Sequence, residues 1–264
     1  MGKSKQMIKN FTKYRFLLTE LVKKNIKLKY RRSYLGILWT LVEPLLQMIV
    51  LTLVFGSFFG RAIPGYPYPV YVLTGRLLFG FFSSSTKGTL KAVSGNASMI
   101  KKVYVPKYMY VLSSVISNFI TFLISLLVLL GVSIVLKVSP SIYLLQAWIP
   151  ILILLVMTTG IGMILATLSV FFRDVEYIWQ VFTMLIMYAS AIFYQVDKIV
   201  KRGNDWVFGF NPIYMCIHNF RNTVLFGCPM DQTYLIRSSV FAVVVFVIGA
   251  VLFYKKQDKF ILYI

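Results

Sequence analysis

Carboxylates are scarce in this chain. Eight Asp and Glu stand among 264 residues, against 28 Lys and Arg. They are Glu20, Glu43, Asp174, Glu176, Asp197, Asp205, Asp231 and Asp258, and no two are set together inside an apolar run for acid–base work. His218 is the single histidine, and Cys216 and Cys228 are the two cysteines. No CxxC, HExxH, DxD, GxSxG or P-loop pattern occurs, and Gly2-Lys3-Ser4 lacks the upstream glycine and strand of a P-loop. These absences argue against a metal centre, nucleotide-sugar chemistry, a serine nucleophile and nucleotide binding by this chain itself. The two cysteines suit either a disulfide on an oxidising face or two reduced, buried thiols. Cys216 and His218 do not share a helix face, so His218 reads as structural.

Long polar stretches are missing as well. No segment beyond about 40 residues lacks an apolar run, which leaves no room for a soluble catalytic domain. No short apolar core with a small-residue cleavage site follows the basic start, so no cleavable signal peptide is expected. Gln6 stands where a myristoylation motif needs Ser or Thr.

What is present is apolar and basic. Hydrophobic residues make up 58% of the chain and the formal charge is +20. Eleven of the basic residues precede Ser33, directly before the first long apolar run. A cationic cluster in that place suits an anionic membrane leaflet and not a nucleic acid. The run from Tyr30 to Phe59 is long enough to cross a bilayer as a helix.

Taken in order, residues 11–32 pattern as a basic amphipathic helix. Tyr14, Leu17, Leu18, Leu21, Val22 and Leu28 recur at helical spacing, as in a helix lying in the membrane interface or a plain basic flank. Six crossings are expected, over 35–59, 70–93, 109–136, 148–172, 177–194 and 238–254. Glu43-Pro44 interrupts the first. It reads either as a structural kink near the interface or as a carboxylate turned to a bundle interior. Arg61–Pro69 is a short outer loop. The inner half of the second crossing, SSSTKGTLKAV, is polar enough to require protein or water around it. Residues 94–108 return with three lysines and a short helix ended by Pro106. Gly160 and Gly162 in the fourth permit close helix packing. Residues 195–237 break into apolar pieces too short to span, the pattern of a re-entrant or interfacial outer segment. With both termini cytoplasmic, 18 basic residues lie inside and seven outside. The expected class is an all-α integral membrane domain.

Four motifs then carry a resemblance. SYLGILWTLVEPLLQMIV, through Ser33, Leu35, Gly36, Trp39 and Pro44, resembles the first membrane helix of permease subunits of ABC exporters for polysaccharides. That family includes O-antigen and teichoic acid permeases. NASMIKKVYVPK resembles its first cytoplasmic loop through Asn96, Ile100, Lys102 and Pro106. LSVFFRDV matches its inner turn through Phe172, Arg173 and Asp174. NPIYMCIHNFRNTVLFG resembles its outer segment through Asn211, Pro212 and Arg221. The four stand in the family's order over nearly the whole chain.

The resemblance implies a homodimer of six-helix subunits in a bacterial inner or plasma membrane, with two copies of a separate P-loop ATPase. That partner would bind ATP and Mg; no cofactor is expected in this chain. The cargo implied is a glycan on an undecaprenyl-type lipid carrier. Coupling to the ATPase would use Asn96, Met99, Ile100, Lys101 and Lys102. Arg173 and Asp174 read either as a structural clasp or as a further contact with it. The N-terminal helix would also touch the ATPase. Asn211, Pro212 and Arg221 would belong to an outer gate. A sugar path would be lined by aromatic faces, for which Trp39, Phe79, Phe81, Phe82, Tyr188, Phe193 and Tyr194 are candidates; each also fits a core or lipid-facing place. The family usually has an apolar residue where Arg76 stands. Arg76 therefore either faces the path and meets phosphate or uronate, or pairs with Glu43 or backbone. Two other functions fit less well: an ABC exporter of drugs or lipids, and a membrane enzyme that modifies glycans, which would need Asp197, Asp205, Asp231 or His218.

Overall fold

The computed structural model describes residues 3–59, 66–102, 105–196 and 205–263. Among these residues every regular element is helical. Most of the expected outer loop, together with Asp197, falls outside them, as does the side chain of Asp205.

Helix α1 (Lys3–Lys29) buries Leu18, Leu21 and Val22 against α5 (Tyr108–Val135). Asn25 Nδ2 on α1 donates to Ser113 Oγ on α5 at 3.3 Å. The expected apolar stripe holds except at its end, where Leu28 is exposed. Its place goes to Ile26, which packs on the same cluster. Arg32 and Gly36 take positive φ (65° and 51°), and the chain turns there into a single 3-10 turn. Helix α2 (Trp39–Phe59) follows.

Pro44 inside α2 has no N–H, so the carbonyl of Thr40 loses its helical donor. Ser125 on α5 supplies a replacement: its hydroxyl donates to Thr40 O at 2.8 Å. In an apolar setting an open carbonyl is costly, and a neighbouring helix's hydroxyl is one way to close it.

Helix α3 (Tyr68–Leu90) is the hub of the fold. It touches α2, α5 and α6 (Trp148–Phe171), and also α7 (Val175–Ala189) and α9 (Pro212–Val224). That position accounts for its polar inner half. Ser85, Thr86 and Thr89 are buried. Trp179 Nε1 on α7 donates to Thr86 Oγ1 at 3.1 Å, and Ser169 Oγ on α6 donates to Leu90 O at 2.7 Å.

Helix α10 (Gln232–Lys256) packs along α6 through two glycines. A Cβ on Gly249 would lie 2.3 Å from Gly160 O, and one on Gly160 would lie 2.6 Å from Phe246 Cα. Gly162 faces α3 instead, with Thr89 2.9 Å from where its Cβ would be. Only backbones without side chains approach this closely.

Among the described residues, four helical stretches are long and apolar enough to cross a membrane: Gly36–Ser57, Tyr108–Val135, Ile142–Phe171 and Gln232–Leu262. Helix α3 is long but too polar at one end, and α7 has 15 residues. The remaining elements are short: α4 (Ala97–Lys102), α8 (Asp205–Phe210) and a terminal 3-10 segment, Gln257–Leu262.

Candidate functional site: a polar groove, an arginine clasp and a basic short helix

The first feature is a groove beside α3. A polar pocket of about 240 Å³ is walled by the end of α1, by α2, α3 and α5. Lys29, Tyr30, Glu43, Gln47, Arg76 and Lys87 line it, with Phe81 at its floor. A second pocket of about 440 Å³ shares Lys29, Ser84, Asn118 and Thr121 with it and reaches Lys91 and Asn96 at the end of α3. The two form one polar channel along the side of the helix hub.

Arg76 is the residue of this groove nearest the start of α3. Its Nε donates to Gln47 Oε1 at 2.9 Å, and Gln47 Nε2 donates to Glu43 Oε1 at 3.0 Å. Arg76 and Glu43 are thus linked through Gln47 and make no direct ion pair; the described ion pairs are Lys23–Glu20 and Lys91–Glu176. Glu43 therefore lines a polar pocket, one turn before Gln47. Gln47 had no place in the sequence argument. The signal was its spacing of one helical turn from Glu43. Burial first, and Glu43 second, push the Tyr30 hydroxyl up to about 12. Tyr30 is a neutral phenol at the mouth of the pocket.

On its other side Arg76 borders an apolar cleft of about 410 Å³ with Val50, Phe55, Tyr188 and Phe193 among its walls. Phe55 and Phe193 stack at 5.4 Å, and Tyr188 meets Phe193 edge-on at 6.4 Å. Tyr194 donates its hydroxyl to Tyr188 O. Trp39 and Tyr188 are exposed, Tyr194 is half-buried and Phe193 is buried. Phe79 and Phe82 are packed within the chain, and Phe82 meets Trp179 at 6.2 Å. Phe81 is held between Phe119 and Phe122. The seven aromatic candidates therefore divide. Trp39, Tyr188 and Tyr194 keep free surface, Phe193 keeps an edge in the cleft, and the three phenylalanines of α3 serve mainly as core.

The second feature is a clasp around Arg221 on α9. This guanidinium is 3% exposed. Nη1 donates to Ala191 O at 2.9 Å, and Nη2 donates to Tyr71 O and Ile192 O, both at 3.1 Å. Nε reaches Thr74 Oγ1 at 3.4 Å, and the carbon centre lies 3.5 Å from the Tyr71 ring centroid. Gly75 leaves the room for it: a Cβ there would stand 2.6 Å from Nη2. The turn after α7, where Ala191 has φ 48°, is bound this way to α3 and α9. Asn211 begins α9: its side-chain oxygen accepts from Ile213 N and Tyr214 N, and its Nδ2 donates to Ser190 Oγ. Pro212 takes the first helical position, where no donor is needed.

His218 packs on Tyr214 and Tyr234, and Asp231 caps α10 through the N–H groups of Thr233 and Tyr234. Cys216 is buried and Cys228 exposed, and both are free thiols. No group of three His, Cys, Asp or Glu is placed to hold a metal among the described residues.

The third feature is α4 with its surroundings. Ile100 is buried in a cluster with Leu21 of α1, Met109 of α5 and Phe260 of the terminal segment. Met99 is half-buried, and Lys101 and Lys102 are exposed. Asn96 joins α4 to α1: its Oδ1 accepts from Lys24 Nζ at 3.1 Å, while its Nδ2 donates to Ala92 O. Arg173 and Asp174 are exposed on the α6–α7 turn. That turn lies beside the same end of α3, since Lys91 and Glu176 pair at 2.7 Å. Lys107 donates to Gln257 O, and burial lowers its ammonium pKa against an opposing effect of Asp258.

Known proteins are similar to this chain in sequence over most of its length. An O-antigen export system permease protein of Klebsiella pneumoniae is 29% identical over 247 residues, covering 92% of this chain and 93% of that protein. One of Myxococcus xanthus is 27% identical over 97% of this chain and 98% of its own length. A polysialic acid transport protein of Escherichia coli is 21% identical over 89% and 91%. The sequence profile of the ABC-2 type transporter family matches residues 17–225, and this chain belongs to that family.

Proposed function

We propose that this chain is the membrane permease subunit of an ATP-driven exporter that carries a lipid-linked polysaccharide outward across a bacterial inner or plasma membrane. The observation that carries this reading is the end-to-end likeness to proteins named for O-antigen export. Hydrolysis of ATP, with Mg, belongs to a partner subunit, consistent with the absence of a P-loop here.

In this reading the four long apolar helices are joined by α3 and by α7 with its following turn, giving six crossings. Helix α3 has 23 residues, about 35 Å of helix, which is enough to span. The excess of basic residues near α1, α4 and the C-terminal segment supports a topology with both ends in the cytoplasm, with α1 at the membrane interface and residues 195–237 as the outer segment. A homodimer fits the exposed apolar faces of α2 and α7, which include Leu53, Val54, Val181 and Leu185. The channel would then run between two copies and use Trp39, Tyr188 and Tyr194, with the Arg221 clasp stiffening its outer end.

Coupling falls to α4. Ile100 anchors it from within while Lys101 and Lys102 face out, with Arg173 and Asp174 nearby at the end of α3. The test is a tagged purification from native membranes in mild detergent. A P-loop ATPase at about equal stoichiometry is expected, and it should be lost from the Lys101→Glu/Lys102→Glu variant. A chain that purifies alone under several detergents would refute the reading. Transport of a lipid-linked glycan in reconstituted vesicles separates this function from drug or lipid export.

A further inference from the structure

We propose that Arg76, held by Gln47, is an anion-reading subsite that takes a carboxylate or phosphate group on the exported glycan or its lipid carrier. The proposal rests on the exporter reading above and adds the charge class of the ligand.

Four observations carry it. The pocket that Arg76 closes holds three cations, Lys29, Arg76 and Lys87, against one carboxylate, Glu43. That carboxylate accepts from Gln47 and not from Arg76. Gln47 takes only the Nε of Arg76, so the two terminal amino groups have no acceptor among the described residues. Those are the two donors whose spacing matches a carboxylate or phosphate. Finally, Arg76 lies where the polar groove meets the aromatic cleft of Phe55, Tyr188 and Phe193. A sugar ring on the aromatic side would bring an acidic substituent within reach of the guanidinium. Two open donors on the wall of a polar pocket can both engage one anion.

The test uses the full-length chain in phosphatidylcholine nanodiscs and equilibrium binding of three probes: undecaprenyl diphosphate, an oligogalacturonate and a neutral maltooligosaccharide. Wild type is compared with Arg76→Gln, Arg76→Lys and Gln47→Ala. Arg76→Gln is expected to weaken an anionic probe about 10- to 100-fold, the scale of a hydrogen bond to a charged group, and to leave the neutral one unchanged. Arg76→Lys should retain part of the affinity, because a point charge replaces the fork. Gln47→Ala should weaken the anionic probe severalfold by freeing the guanidinium to turn away. Loss for the diphosphate assigns the subsite to the carrier; loss for the oligogalacturonate assigns it to the polymer.

The proposal falls if wild type binds neither anionic probe, or if Arg76→Gln shifts both by less than twofold. It falls equally if the neutral probe weakens as much. Should Arg76→Gln fail to fold, Gln47→Ala and the salt dependence of wild-type binding decide the matter, and a salt-independent affinity refutes it. Each of these failures leaves the exporter reading intact. A host that still displays its surface glycan without this chain overturns the exporter reading, whatever the binding shows.

Discussion

Replacing Arg221 with leucine removes a buried ion and leaves its acceptors behind. The guanidinium bonds three carbonyls, those of Ala191, Tyr71 and Ile192, and caps the Tyr71 ring. A buried acceptor left open costs about 1–3 kcal/mol, but leucine also brings an apolar side chain that suits its surroundings. Three carbonyls lose a charged donor while leucine restores apolar contact, and a net loss of about 3–5 kcal/mol is expected. At about 2–4 °C per kcal/mol, apparent melting should fall by roughly 6–20 °C. The assay is thermal aggregation of the detergent-solubilised chain, followed by size-exclusion chromatography. Lysine at this position offers one charged point and should fall between. Gly75→Ala approaches the same site from the other side, since its new Cβ would stand 2.6 Å from Nη2. It should destabilise in the same direction. An Arg221→Leu protein that melts within about 3 °C of wild type would refute the view that this clasp holds the turn after α7.

Gly249→Ala sets a methyl group against the Gly160 carbonyl and should cost about 1–3 kcal/mol. Gly131→Ala, with open space around it, should gain about 0.5–1 kcal/mol from helix propensity, and melting compares the two. Asn211→Ala should cost about 1–2 kcal/mol through its lost cap, and Asn211→Asp should recover most of it in the same assay. Phe260→Ala removes a fully buried ring that meets Phe253 at 5.2 Å. Up to about 3–5 kcal/mol of docking energy goes with it. Hydrogen exchange should rise across Gln257–Leu262 and α4, and unchanged protection there would contradict the packing described.

The long apolar runs were legible because their period and length need no context. The fourth run reads 148–172 and the helix is Trp148–Phe171. Where context decided, the sequence reading drifted. The last helix begins at Gln232, six residues before the expected Ser238, because Asp231 caps it. That Asx-type start is a local signal, overshadowed by Arg237 within the run. Helix α7 ends at Ala189, earlier than Tyr194, since the carbonyls of Ala191 and Ile192 bond Arg221 across a distance no sequence window covers. The phenylalanines of α3 pointed to a sugar path only so long as α3 had a free face. Its contacts with α2, α5, α6, α7 and α9 bury them, and beside them Thr86 accepts from Trp179 of α7. Gln47 went unnoticed for a related reason. A neutral amide within an apolar run gains meaning only once the charges on either side of it are placed.

The short helix α4 is anchored by its own Ile100, with the terminal segment and α1 packed on the same cluster. Six residues have no helical stability of their own, so α4 is only as rigid as what supports it. Its support comes from both ends of the chain at once. The cluster around Ile100 joins α4 to residues of α1, α5, α6 and α10. In mechanical terms this end of the molecule is a gear keyed to four shafts. If α4 is the coupling element proposed above, its stiffness, more than the chemistry of any single residue, would set how much of a stroke applied there reaches the far side of the membrane.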